Sequence, residues 1–190
     1  KNFKRLIAYS SIENMGLVAI AIAAGGIAWT AAILHLVIHT FVKSGIFYQM
    51  AQIIRVFKTK KVYLMGRYLS INPLGGIVMI LAFIILSGIP PSGLFFTEFM
   101  IFSSLFSGGY AFVAVPVMLL LCFIIYTLAK YFFKTLFGPL DPETLAQSEK
   151  ISKWESVPQL ILLLLTLAIS IYPPASLLGL IGDSIAHLPK

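Results

Sequence analysis

The sequence predicts an all-α integral membrane protein with about five transmembrane helices, one of them discontinuous. Three observations predict it. Of the 190 residues, 59% are hydrophobic and 11% charged, against about 25% charged in a soluble domain. The mean hydropathy is +0.95. Several apolar runs approach or exceed the roughly 20 residues that cross a bilayer core. A membrane β-barrel would instead show short alternating segments.

The net charge is +7. In a soluble chain that excess would point to nucleic acid. Here Lys and Arg fall in short loops between apolar runs, as the positive-inside rule requires. The lipid bilayer, and no nucleic acid, is therefore the expected surrounding. The single cysteine, Cys122, lies inside an apolar run, so neither an intrachain disulfide nor a thiolate metal site is expected. No signal peptide is expected either, because the first apolar segment lacks a small-residue cleavage site and runs on into a second span. The first residue is Lys1 rather than Met. The chain is accordingly expected to be a piece of a longer protein, a split subunit or a processed chain.

The first span is predicted at about residues 6–27, after Lys1, Lys4 and Arg5, with Gly25 and Gly26 at its end and Trp29 as an interfacial anchor. The second covers about 30–54 and is followed by Arg55, Lys58, Lys60, Lys61 and Arg67. Two crossings bring both basic clusters to one side, which the positive-inside rule assigns to the cytoplasm of a multi-pass protein in the cell inner membrane. Residues 74–106 are apolar but interrupted at 88–93, where Gly88, Pro90, Pro91 and Gly93 stand. Paired prolines remove two N–H donors, so no continuous helix can pass. The stretch is either a hairpin of two spans or one span broken inside the membrane. Charge favours the broken span. A helix at about 110–137 follows, with Lys130, Lys134, Lys150 and Lys153 at or beyond its end, and a single crossing keeps these lysines on the basic side. The flanks, about 14 and 13 residues long, make half-helices at about 1.5 Å per residue. The loop 138–153 also holds Asp141, Pro142, Glu143 and Glu149; Trp154 is a second interfacial anchor. The last span is predicted at about 158–180, with Pro173 and Pro174 within it, leaving Asp183 outside.

Charges inside a membrane are costly and mark ion paths. His35, His39 and Lys43 recur at i, i+4 and i+8 of the second span, which aligns them on one helix face. Lys43 is near mid-span and poorly placed to snorkel. Imidazole exchanges protons near neutral pH, and these three are the candidate proton path. Glu98 follows the Pro-Pro break by seven residues. Discontinuous helices expose backbone dipoles and admit water at that depth, so Glu98 joins the candidate path. Glu13, beside Tyr9, Ser10, Ser11 and Asn14, and Lys130, near a helix end, are further candidates. Each also fits a bland reading: polar packing in the first span, and a snorkelling lysine.

Three segments, KNFKRLIAYSSIENMG, HLVIHTFVKSG and SGIPPSGLFFTEFMIF, together resemble consecutive signatures of the antiporter-like family. That family comprises the large membrane-arm subunits of complex I, the Mrp-type antiporter subunits and their counterparts in group 4 membrane-bound hydrogenases. YSSIENMG and GIPPSGLFFTEF look most like the hydrogenase-4 component F branch. The resemblance covers roughly the whole chain and is weakest after Pro139. It implies the last five helices of a fourteen-helix fold built from two inverted repeats. It also implies that His35, His39 and Lys43 carry part of a central polar axis and that Glu98 guards an exit half-channel. A partner chain supplying the first repeat would be needed. The branch often carries His where this chain has Asn14, so no role is carried over to Asn14.

The expected function is proton, or cation, translocation as a subunit of a membrane-bound redox-driven complex such as a group 4 hydrogenase or a complex I relative. No redox cofactor is expected in this chain: it shows no Cys cluster, no axial-ligand pattern and no Gly-rich nucleotide loop. The electron-transfer chemistry would then belong to partner subunits. A Mrp-type sodium/proton antiporter subunit is an alternative that the same axis serves. A non-transporting membrane scaffold is another, and it would gain nothing from three aligned titratable groups.

Overall fold

The computed structural model describes residues 2–140, 144–145, 148–149 and 151–187. Lys1, Asp141, Pro142, Glu143, Lys150 and the side chain of Lys153 lie outside the described residues. Asn2 caps α1 (Phe3–Ala24), its Oδ1 accepting from Lys4 N at 3.0 Å. Gly25 and Gly26 take φ of 75° and 58°, a region open to glycine at little cost, and turn the chain into α2 (Ile27–Phe57). Trp29 Nε1 donates to Ile22 O across this turn at 2.9 Å. The 31 residues of α2 make a rod of about 46 Å, longer than the roughly 30 Å hydrocarbon core.

A one-turn 3₁₀ helix, Val62–Leu64, and α3 (Tyr68–Ile71) lead to α4 (Pro73–Leu86). Pro73 opens α4, where no N–H is needed, and Asn72 Oδ1 accepts from Gly75 N at 3.1 Å. The helix then stops. Residues 87–92 form the break, and Ser92 restarts the chain as α5 (Gly93–Ser107) by accepting from Phe95 N at 3.2 Å. Next come α6 (Ala111–Phe137), the 3₁₀ turn Lys153–Ser156, closed by a capping box of Ser152 and Glu155, and α7 (Val157–Ile171). Last is α8 (Ala175–Ala186). The sequence carries one span through 158–180; the structure divides it. Pro173 and Pro174 offer no N–H to the carbonyls of the turn behind them, so α7 ends at Ile171 and a separate helix begins.

Loop contacts fix the course of the chain. Arg67 N donates to Gly138 O and Glu149 N to Val56 O, both at 3.1 Å. Arg55 pairs with Glu149 at 3.4 Å and with Glu155. The loops after α2 and after α6 therefore share one end of the bundle, the basic end. It follows that α4 and α5 together run the length once and α6 returns. At the other end, Ala28, Ala31 and Ala32 of α2 pack with Leu17 and Ala21 of α1 and with Ile101 and Leu105 of α5. The larger apolar core joins Phe132 of α6 to Phe3 and Phe83, ring centroids 5.8 and 5.5 Å away.

Among the described residues, four helices are long and apolar enough to cross a membrane: Phe3–Ala24, Ile27–Phe57, Ala111–Phe137 and Trp154–Ile171. The broken pair α4–α5 supplies a further passage in two pieces. Phe112, Leu119, Phe123 and Tyr126 stand exposed along α6, an apolar face suited to lipid tails or a neighbouring chain.

Candidate functional site

Because α2 is regular throughout, His35, His39 and Lys43 do fall on one face, and that face is buried: their exposures are 0%, 6% and 5%. The rings of His35 and His39 lie nearly parallel, centroids 6.2 Å apart. What periodicity could not show is how α1 meets them. Lys43 Nζ donates to Ile7 O at 2.9 Å and to Ser10 Oγ at 2.5 Å. Asn14, one turn beyond Ser10, donates from Nδ2 to Ser10 O at 2.7 Å, and its Oδ1 lies 2.9 Å from His35 Nε2. On the other side of the ring, His35 Nδ1 lies 2.9 Å from Thr97 Oγ1. A line of polar groups thus runs from Lys43 through Ser10, Asn14 and His35 to Thr97, the residue before Glu98.

Ser10, Asn14 and Thr97 were not assigned roles by sequence reasoning. Ser10 and Asn14 carry a signal that could have been used: they are spaced i, i+4 in an apolar helix and so share a face. Thr97 carried none beyond its adjacency to Glu98.

Glu98 is 9% exposed and sits against the break. A Cβ built on Gly88, which has a φ of 60°, would come within 2.5 Å of Glu98 Oε2. At Gly93 a Cβ would collide with Ile38 of α2 and Ser170 of α7. These two glycines let the break fold onto the carboxylate and let the first turn of α5 seat between α2 and α7. Pro90 and Pro91 are exposed in the break. Glu13 is partly buried on α1. Lys130 is exposed on α6, and the structure does not bring it into this line.

Two open cavities flank the line. One, of about 560 Å³, is lined by His39, Lys43, Ser11, Thr40 and Ser44. The other, of about 500 Å³, is lined by Glu98, Ser103, Cys122 and several phenylalanines. His39 Nε2 is buried and has no hydrogen-bond partner among the described residues.

A second polar cluster lies toward the basic end. Gln49 Nε2 donates to Gln52 Oε1 and to Tyr68 Oη at 2.7 and 2.8 Å. Asn72 Nδ2 reaches Tyr68 Oη and Ser156 Oγ, both at 3.2 Å, and Ser156 Oγ donates to Gln52 Oε1 at 2.8 Å. Burial pushes the Tyr68 hydroxyl up to about 12, so it serves as a neutral donor and acceptor. These side chains tie α2, α3, α4 and the start of α7 together. Sequence reasoning passed over them, although Gln49 and Gln52 stand out in an apolar helix. Among the described residues, no group of three or more His, Cys, Asp or Glu could hold a metal ion.

Comparison with known proteins bears on what this arrangement serves. Residues 1–124 match a family described as NADH:quinone oxidoreductase/Mrp antiporter, transmembrane. The chain is 36% identical over 108 residues to the hydrogenase-4 component F homolog of Methylacidiphilum infernorum (isolate V4), covering 56% of this chain and 23% of the relative. It is 34% identical over 121 residues to NADH-quinone oxidoreductase subunit N 2 of Rhizobium meliloti (strain 1021), covering 63% and 25%. The chain matches about a quarter of the length of these relatives. Among solved structures, it is similar to a chain in the structure of the Mrp complex from Dietzia sp. DQ12-45-1b, with a TM-score of 0.78 and 21% identity, over 96% of this chain and 42% of that one. That likeness is one of fold.

Proposed function

The chain belongs to the NADH:quinone oxidoreductase/Mrp antiporter family of transmembrane proteins, and from that premise we propose that it is a proton-translocating subunit of a redox-driven complex in the cell inner membrane. Its relatives by sequence include a hydrogenase-4 component F homolog and an NADH-quinone oxidoreductase subunit, which supports a group 4 hydrogenase or complex I relative as the setting. The basic end, with Arg55, Lys58, Lys60, Lys61 and Arg67, faces the cytoplasm.

One observation carries the reading: a buried line of hydrogen-bonding groups runs through the interior from Lys43 to Thr97, with an open cavity beside each end. Lys43 and His39 line one cavity, and Glu98, next to Thr97 in the chain, lines the other. Lys43, His39 and His35 take the part of the central relay, Glu98 that of the exit group, and Glu13 that of a further carboxylate on α1. Buried ionisable groups inside a membrane are costly, and a scaffold subunit would have no use for them. Partner subunits supply the electron transfer and the rest of the fold.

The test is Lys43→Met in proteoliposomes that hold the whole complex. Met keeps the volume and removes the titratable group, so proton uptake should be lost while assembly persists. Unchanged uptake by the assembled variant would reject the relay. A Mrp-type sodium/proton exchanger remains a second reading, supported by the family description itself. Dependence of uptake on sodium separates the two.

A further inference from the structure

We propose that Thr97 is a positioning residue whose hydroxyl turns to match the charge of His35, so that the imidazole gains and loses its proton at Nδ1. This rests on the relay reading above and names a part that reading leaves out.

Asn14 Nδ2 donates to Ser10 O at 2.7 Å, and Asn14 Oδ1 lies 2.9 Å from His35 Nε2. Turning the amide over would set its oxygen 2.7 Å from the Ser10 carbonyl, two acceptors with no hydrogen between them, so the amide nitrogen faces Ser10. An amide oxygen only accepts. His35 Nε2 must therefore carry a hydrogen whether the ring is neutral or charged. Nδ1 is then the nitrogen whose proton comes and goes.

At Nδ1 stands Thr97 Oγ1, 2.9 Å away, with two further acceptors in reach, Gly93 O at 3.1 Å and Leu94 O at 3.0 Å. A hydroxyl has one donor and two acceptor sites. When His35 is neutral, Thr97 O–H donates to the Nδ1 lone pair. When His35 is charged, Nδ1–H donates to Thr97 Oγ1, and the threonine hydrogen swings to Gly93 O or Leu94 O. Both nitrogens of His35 and the Thr97 hydroxyl have a partner in both states. One proton is gained or lost at Nδ1, no bond between heavy atoms changes, and the only motion is rotation about one C–O bond. The proton reaches Nδ1 by way of Thr97 Oγ1, which passes its own hydrogen to the ring as it takes up another from the relay.

The surroundings fit such a group. His39 stacks on the His35 ring from its own helix; Lys43 lies two turns further along α2, Glu13 is next to Asn14 on α1, and Glu98 is next to Thr97 on α5. Neither α4 nor α7 carries a titratable residue, and Asp183 of α8 is exposed. His35 is fully buried, so a hydrogen on Nδ1 without an acceptor would have no water to turn to.

The experiment has two arms on the whole complex. In the first, proton uptake is compared for wild type, His35→Gln, Thr97→Val and Thr97→Ser, with assembly checked in each. Valine keeps the shape and removes the hydroxyl, so uptake should fall about tenfold or more, while serine should keep about half or more. In the second, nitrogen NMR of histidine-labelled, unmutated complex reads the neutral tautomer of His35, identified by its loss in His35→Gln. Hydrogen on Nε2 is expected; hydrogen on Nδ1 would overturn the inference, even if Thr97→Val does not assemble. Loss of uptake in His35→Gln with full uptake in Thr97→Val would overturn it too and leave the relay standing. Full uptake in His35→Gln would overturn the relay reading itself.

Discussion

The carboxylate of Glu98 fills the space that a side chain on Gly88 would need, since a Cβ there would stand 2.5 Å from Oε2. A backbone break and an acidic group ten residues later are thus one construction. The glycine is where the break bends, and the bend is what leaves room for the acid.

Replacing the acid tests its role. Glu98→Gln preserves shape and removes charge exchange, so proton uptake by proteoliposomes of the whole complex should fall by roughly tenfold or more, as expected for a lost acid–base group. Assembly should be unaffected. Glu98→Asp keeps the charge with a shorter reach and should retain partial activity. If the Gln variant pumps like wild type, the exit group lies elsewhere.

Replacing the glycine tests the bend. Gly88→Ala places a Cβ at positive φ, which costs about 1–2 kcal/mol, and drives it into the Glu98 carboxylate. Thermal unfolding of the complex should move to lower temperature, and uptake should fall with it. Unchanged stability and uptake would show that the break relaxes without disturbing Glu98.

The course of the chain makes a prediction about sidedness. With α4 and α5 running the length of the bundle once, single cysteines at Ser107 and Ser148, in a chain with Cys122 replaced, should be labelled from opposite sides of the membrane. Labelling of both from one side would mean that residues 74–106 cross twice.

The cluster at the basic end makes the opposite kind of prediction. Tyr68→Phe leaves the amides of Gln49 and Asn72 short of an acceptor, at a cost of about 1–3 kcal/mol. The complex should melt at lower temperature, while uptake per assembled complex stays near wild type. A loss of uptake without a loss of stability would place Tyr68 on the ion path.

Much of this was readable from residue order. The break at 88–93 followed from paired prolines, and the face shared by His35, His39 and Lys43 followed from helical period. Both are local properties of one segment. The contacts of Asn14 and Thr97 with His35 were not readable, because periodicity tells which residues share a helix face but not which face of another helix they meet. The same limit hid the cluster of Gln49, Gln52, Tyr68, Asn72 and Ser156, drawn from four parts of the chain. The division of the last span was legible in Pro173 and Pro174. The reasoning that broke the helix at Pro90 and Pro91 applied there equally.

That second interruption changes how α2 is held. α2 packs against four short helices, α4, α5, α7 and α8, and α7 comes to its end beside the start of α5, where Ser170 meets Gly93. None of the four is long enough to brace α2 along its whole length. Each grips a stretch of it, like separate bearings on one shaft. The shaft is the helix that carries His35, His39 and Lys43. A shift of any single bearing would then act on the titratable groups as a tilt or turn of α2 against α1, the long helix packed beside it.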